Sequence, residues 1–219
     1  MATMQFHMTP GSCSTGIHVL LETLELPFEV HVVHLPAGEH RRPGYLALNP
    51  KGTIPTLVLP DGQALTDWLS IAWWLGRTHP RAGLLPEEPA AQARVLATVN
   101  HVVGTVHGQG YTRIFTPEAH LLEGDEAGPS AAARRERLQA RGRALVSEGF
   151  DLLDRQLAAH ADQGGWVCGA FSIADAALFY TEFWAERIGL AMPAGLAAHL
   201  ARMKARPVVH QVLREEGYR

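Results

Sequence analysis

The chain has 219 residues, 47% of them hydrophobic and 19% charged, with a formal net charge of −3. This balance fits one large or two small globular domains. It gives no case for a nucleic-acid partner, because the one basic block, Arg134-Arg135-Glu136-Arg137, reads as a solvated helix face. No apolar run is long enough to span a bilayer and the N-terminus lacks a signal-peptide pattern. Two cysteines far apart, Cys13 and Cys168, make no disulfide framework, so the expected compartment is the reducing cytoplasm.

Met4-Gln5-Phe6-His7-Met8 reads as a first strand. A first helix follows over 14–25, with apolar residues at 17, 20, 21 and 24. Leu26-Pro27 closes it, and 28–33 alternates as a second strand. Pro36-Ala37-Gly38 breaks that strand, and 39–48 is a short helix ending at Asn49-Pro50. Strand, helix, strand implies a right-handed crossover between two parallel strands. Thr56-Leu57-Val58-Leu59, the turn residues Pro60-Asp61-Gly62, and Gln63-Ala64-Leu65 form a β-hairpin signal. Thr66-Asp67 supplies a cap for a helix through Leu69, Ile71, Ala72, Trp73 and Leu75, ending near His79-Pro80.

Beyond Pro80 no strand is expected. Residues 81–89 read as a linker with prolines at both ends. Long helices are expected over 90–114 and 131–160, with a loop over 116–129 between them. Gly164-Gly165 is a break, and Ser172-Ile173-Ala174-Asp175 is a capping box opening an apolar helix, with Asp175 structural. Two short helices complete the chain, the last starting near Pro207. The fold class is therefore α/β plus all-α, a βαβαββα half followed by a helical half.

Residues 9–16 lie where the first strand hands over to the first helix, which places Cys13 and Ser14 at a helix start. Backbone N–H groups there have no partners in the helix and the dipole is positive. That field lowers a thiol pKa and stabilises an anionic ligand. The competing reading is a plain serine N-cap, and geometry alone leaves both open.

Four motifs, in order and on matching elements, resemble the soluble glutathione transferases, most closely the bacterial beta class. They are Pro10-Gly11-Ser12-Cys13-Ser14, Asn49-Pro50-Lys51-Gly52-Thr53-Ile54-Pro55, Leu65-Thr66-Asp67 and Phe171-Ser172-Ile173-Ala174-Asp175. The likeness covers nearly the whole chain. It implies a thioredoxin-like domain at 1–80 that binds glutathione, and an all-helical domain at 90–219 that forms the electrophile pocket. It implies a cis bond before Pro55, exposing the backbone of Ile54 beside the Cys13 loop so that a tripeptide adds along that edge. Lys51 and Thr53 of the same segment join the expected glutathione contacts. Asp67, a favoured cap in its own right, also holds the α-amino group of the γ-glutamyl end. Trp68 stands where the family has Ser or Gly, leaving its backbone N–H to bind a carboxylate. Pro36 falls near the place of a family lysine, for which Arg41 or Arg42 is the substitute.

The tyrosines, Tyr45, Tyr111, Tyr180 and Tyr218, lie away from the first strand, and Met8 occupies the position where the beta class often has Tyr. Cys13, Ser14, Ser12 and Thr9 remain as groups to activate a thiol. The resemblance favours Cys13, by mixed disulfide or hydrogen bond, while Ser14 can donate to a glutathione thiolate. With no second cysteine in Cys13-Ser14-Thr15-Gly16, a dithiol cycle is excluded and a monothiol cycle stays open. His107 matches a family site histidine. Tyr111 and Phe115, at i and i+4, either wall the electrophile pocket or pack the core. No histidine pair has chelate spacing, so no metal is expected, and Cys168 reads as a small buried hydrophobe.

The resemblance thus implies an enzyme that conjugates glutathione, its co-substrate, to small hydrophobic electrophiles, with peroxidase or disulfide reductase activity as further options. The alternatives are a non-enzymatic binding or regulatory protein on the same scaffold, and an isomerase-like or dehalogenase-like specialist. A two-fold homodimer is expected, and the apolar run over 68–74 suits partner contact as well as core.

Overall fold

The structure, a computed structural model, describes residues 3–121 and 130–218. Strands β1 (Met4–Met8), β2 (Phe28–Val32), β3 (Thr56–Val58) and β4 (Ala64–Thr66) form one mixed sheet in the order β2-β1-β3-β4. β1 pairs parallel with β2, and β3 pairs antiparallel with both β1 and β4. On β1 the alternate residues Met4, Phe6 and Met8 are buried, as the period of two requires. Helix α1 (Ser14–Thr23) contributes Ile17, Leu20 and Leu21 to the same core. The expected short helix over 39–48 is smaller than its pattern: 3-10 turns at Leu35–Ala37 and Glu39–Arg41 precede α2 (Pro43–Leu48). Pro36 and the left-handed Gly38 interrupt any longer helix. Helix α3 (Trp68–Thr78) closes this half.

The second half is helical among the described residues: α4 (Pro89–Asn100), a π-helical stretch (His101–Tyr111), α5 (Thr112–Phe115), α6 (Ala131–Ala159), α7 (Ile173–Arg187), α8 (Ala194–Lys204) and α9 (Pro207–Glu215). Helix α7 is buried at every position from Ile173 to Ala185, so it is the central rod against which α1, α4 and α8 pack. Among these helices none is long and apolar enough to cross a membrane.

Four expectations change. The helix over 90–114 is interrupted by eleven residues of π-helix, a form usually confined to single turns near functional sites. This stretch lies close against α6: a Cβ at Gly110 would come within 2.6 Å of Val146, and one at Gly142 within 2.7 Å of the Gly110 carbonyl. The segment over 81–89 is anchored rather than free, since Leu84 and Leu85 are buried and the Leu84 carbonyl accepts from the Ile173 N–H at 3.1 Å. Of the expected loop over 116–129, Pro117–His120 forms a 3-10 turn and 122–129 lie outside the described residues. Cys168 packs against the core as expected but is only half-buried, and its sulfur adds polar contacts, 3.6 Å to Thr98 Oγ1 and 3.5 Å to Gln156 Nε2.

Candidate functional site

The loop between β1 and α1 is held from all sides. Thr9 Oγ1 donates to the Val33 carbonyl at 2.6 Å, and Ser12 Oγ donates to Thr9 O at 2.6 Å while accepting from the Ser14 N–H at 3.1 Å. Two indole N–H groups fix the carbonyls around the cysteine: Trp184 Nε1 reaches Gly11 O at 2.7 Å and Trp68 Nε1 reaches Cys13 O at 2.9 Å. Cys13 is the N-cap residue of α1, with its sulfur 3.7 Å from the Ile54 carbonyl. Ser14 Oγ is buried and has no hydrogen-bond partner among the described residues, an arrangement that costs free energy unless another role sustains it.

The expected low thiol pKa at Cys13 is not what this environment gives. Cys13 is only 7% exposed, and burial pushes its thiol up to about 12, outweighing the hydrogen bonds from the backbone N–H groups of Cys13 and Ser14. The helix start is present, but desolvation wins. Near neutral pH the group is an S–H donor, not a thiolate.

Facing it is the 49–56 segment, with a cis Ile54–Pro55 bond. The buried Asn49 organises this turn, donating to Thr53 O at 2.8 Å and accepting from the Lys51 N–H at 3.1 Å. Tyr45 Oη adds a 2.6 Å bond to the same Thr53 carbonyl. Arg41 lies on the segment, 3.4 Å from Lys51 O, whereas Arg42 pairs with Glu39. The Lys51 ammonium forms an ion pair with Asp67 Oδ2, both side chains about half exposed.

Asp67 stands at the N-cap position of α3 but its side chain makes no cap hydrogen bond. Its backbone sits at φ 71° and ψ 138°, a conformation that costs a non-glycine residue on the order of 1–3 kcal/mol. The result directs the carboxylate to Lys51 instead of to the helix N–H groups. The Trp68 side chain is likewise not a surface contact: its ring is buried and spends its one donor on Cys13 O, so only its backbone N–H stays a ligand candidate.

On the helical side, His107 sits on the π-helix with Nδ1 3.2 Å from Tyr180 Oη and its ring edge-on to Trp184 at 4.9 Å. Burial pushes its pKa down to about 4, so it is a neutral imidazole. Tyr180 in turn lies 6.0 Å ring to ring from Trp68, and its phenol is raised by burial and then by the neighbouring Cys13 and Tyr111. Tyr111, expected as a substrate contact, is wholly buried and donates to Thr181 O at 2.6 Å. It is framework, and its stacking partner Phe115, 46% exposed, presents the open aromatic surface.

The structure thus brings Cys13, Ser14, Ile54, Trp68 and His107 into one connected cluster, with Lys51, Thr53 and Asp67 along its sheet edge. Sequence reasoning missed Tyr180 and Trp184. Their i, i+4 spacing on an apolar helix is indistinguishable from core packing, and only the polar tips of the two rings hint at more. One group, His18, Glu22 and Glu215, brings ligand atoms within 4.8 Å of one another. Its two carboxylates already accept from the Gln211 amide at 3.2 and 3.0 Å.

Residues 11–78 match the family model of the glutathione S-transferase N-terminal domain, and 132–215 that of its C-terminal domain. The glutathione S-transferase GstA of Escherichia coli is 30% identical over 98% of this chain and 99% of its own length. A maleylacetoacetate isomerase of Pseudomonas aeruginosa is 29% identical over 90% of this chain and 92% of its own. The solved structure of a bacterial beta-class glutathione S-transferase from Sphingomonas chungbukensis aligns with a TM-score of 0.77 at 25% identity, covering 97% of this chain and 98% of that one.

Proposed function

The chain belongs to the glutathione S-transferase family, and from that premise we propose that it conjugates glutathione, its co-substrate, to small hydrophobic electrophiles. The observation that carries this reading is the neutral thiol of Cys13 at the start of α1, facing the Ile54 backbone. A transferase must stabilise the thiolate of glutathione, and fixed donors in a desolvated site do so well. The Cys13 S–H and the unpartnered Ser14 hydroxyl are suited to that task. The peptide backbone of glutathione pairs with Ile54, while its charged γ-glutamyl end exchanges into the Lys51–Asp67 ion pair and onto the Trp68 N–H. Phe115, Trp184 and the neutral His107 form the apolar side on which the electrophile rests.

The same observation weighs against a disulfide reductase cycle. That cycle needs Cys13 as a thiolate nucleophile, and burial opposes its ionisation. A glutathione-dependent isomerisation is the second reading, favoured by the likeness to a maleylacetoacetate isomerase over 90% of this chain. It uses the same thiolate, which adds to the substrate double bond and is expelled again after rotation about it, so glutathione is regenerated rather than consumed. We assign residues 1–80 the glutathione half and 90–219 the electrophile half. A two-fold homodimer and a cytoplasmic location complete the reading, the latter supported by two free cysteines.

The test is to assay Cys13→Ala and Ser14→Ala against an aromatic electrophile and a small disulfide. Each variant is expected to lose conjugation by about tenfold, about 1.4 kcal/mol of transition-state stabilisation. Full conjugation in both variants would sink the donor role. Reductase activity in the wild type that vanishes in Cys13→Ala would make Cys13 a nucleophile after all.

A further inference from the structure

We propose that Glu216, from the turn after α9, is a positioning residue for the Cys13 loop, so that the C-terminal turn is a working part of the active site. The inference rests on the reading of residues 9–16 as the loop that meets the glutathione sulfur. Glu216 Oε2 accepts from the Gly11 N–H and from Thr15 Oγ1, each at 2.7 Å, and Oε1 lies 2.9 Å from His18 Nδ1. Its carboxylate is 2% exposed. Two of these bonds land two residues before and two residues after Cys13. Hydrogen bonds to an ionised carboxylate are short and about twice as strong as neutral ones, and burial raises the penalty for losing them.

The neighbouring residue contacts agree. Tyr218 Oη lies 3.5 Å from the Pro10 carbonyl, and a Cβ at Gly11 would come within 2.0 Å of that hydroxyl. Gly11 also has φ 70°, so the loop takes a left-handed step where the C-terminal turn presses against it, and glycine satisfies both demands. Loop and C-terminal turn, some 200 residues apart in sequence, are therefore shaped against each other. Trp68 and Trp184 each hold one carbonyl of the loop and the Ser12 hydroxyl braces it from within, whereas Glu216 reaches it from the other end of the chain and bonds on both sides of Cys13 through one carboxylate.

The role is one of geometry. Glu216 touches neither the Cys13 sulfur nor Ile54, and it sets the backbone turn that aims that sulfur. Displacement of a catalytic group by about 1 Å costs on the order of a hundredfold in rate. Loss of the carboxylate should accordingly fall on kcat more than on the KM for glutathione, which Lys51, Ile54 and Asp67 determine.

The experiment compares wild type, Glu216→Ala, Glu216→Gln and Thr15→Val. Two readouts are used: kcat and KM for glutathione with an aromatic electrophile, and the alkylation rate of each cysteine by iodoacetamide, resolved by peptide mass spectrometry. Glu216→Ala is expected to lower kcat at least tenfold with KM changed less than threefold, and to speed Cys13 alkylation at least tenfold. Cys168, whose contacts are Thr98 on α4 and Gln156 on α6, should react at its wild-type rate. Thr15→Val removes one of the bonds, and Glu216→Gln keeps an acceptor oxygen without the charge, so both should fall between wild type and Glu216→Ala. If Glu216→Ala does not fold, these two variants carry the test on the same criteria. Wild-type kcat and wild-type Cys13 alkylation in the folded variants would overturn the proposal. So would equal acceleration at Cys13 and Cys168, which is general loosening. The alkylation arm needs no glutathione: a wild type that fails to turn over glutathione would defeat the functional reading while leaving the positioning role to be judged on Cys13 reactivity.

Discussion

His199 provides a pH-dependent contribution to stability whose size follows from its surroundings. Its Nδ1 is 2.8 Å from Glu182 Oε2 and its Nε2 3.2 Å from Asp175 Oδ1, with all three side chains fully buried. Burial alone would lower the imidazole pKa, but the Glu182 and Asp175 carboxylates outweigh it and lift the value from 6.5 to about 9. A folded-state pKa above the unfolded value means the stabilisation is complete below pH 6.5 and disappears as pH rises through about 9. At roughly 1.36 kcal/mol per pH unit, that interval amounts to about 3 kcal/mol. Cys13 and Cys168, both raised by burial from 9, begin to lose stabilisation only above that pH. The Glu182–His199 pair therefore dominates the window from 6.5 to 9. Urea unfolding followed by tryptophan fluorescence at half-unit steps from pH 6 to 9.5 measures it. Wild type should lose about 3 kcal/mol across the window, whereas Glu182→Leu/His199→Leu should stay nearly flat. A flat wild-type curve, or an equal loss in the double variant, would refute the charged state assigned to His199.

Three further outcomes are expected. Trp68→Phe removes the 2.9 Å indole donor from the buried Cys13 carbonyl and leaves it only the Gly16 N–H at 3.2 Å, so thermal or urea unfolding should show a loss of about 0.5–1.5 kcal/mol, together with slower conjugation per folded molecule. His107, held down at about 4 by burial, is neutral in the folded state above that pH. Its contribution is present above the unfolded value of 6.5 and lost as pH falls towards 4, so NMR of the imidazole should show no titration between pH 5.5 and 8. Sedimentation at micromolar concentration should give twice the 23.9 kDa chain mass, and Trp73→Glu, at a ring 43% exposed, should shift the population to monomer.

Local chemistry explains which parts of this molecule were legible in its sequence. β1 was readable from the alternation of Met4, Phe6 and Met8, the hairpin from Pro60-Asp61-Gly62, and the start of α7 from Ser172 and Asp175, which form a reciprocal capping box. Each is a pattern of nearest neighbours. The apolar run over 68–74 carried two meanings, and the structure divides it: Trp68, Ile71 and Ala72 are core while Trp73 faces outward. The π-helix was not legible, because its apolar spacing departs too little from 3.6 over eleven residues. Helix-start electrostatics suggested an acidic Cys13. How deeply the thiol is desolvated depends on Trp68 and Tyr180, which arrive from α3 and α7. Asp67 looked like a cap by residue type, yet its backbone turns the carboxylate towards Lys51. Glu216 left no local trace, since its partners are Gly11, Thr15 and His18 at the other end of the chain.

The central claim, that glutathione lies along the Ile54 edge with its sulfur at Cys13 and its γ-glutamyl end at Asp67, is tested most directly by calorimetric titration of glutathione into the wild type and Asp67→Asn. The account expects saturable binding in the wild type below a few millimolar, weakened about tenfold in Asp67→Asn, equivalent to about 1.4 kcal/mol. An absence of binding heat up to ten times that concentration (on the order of 10 mM), or equal affinity in the two proteins, would contradict it.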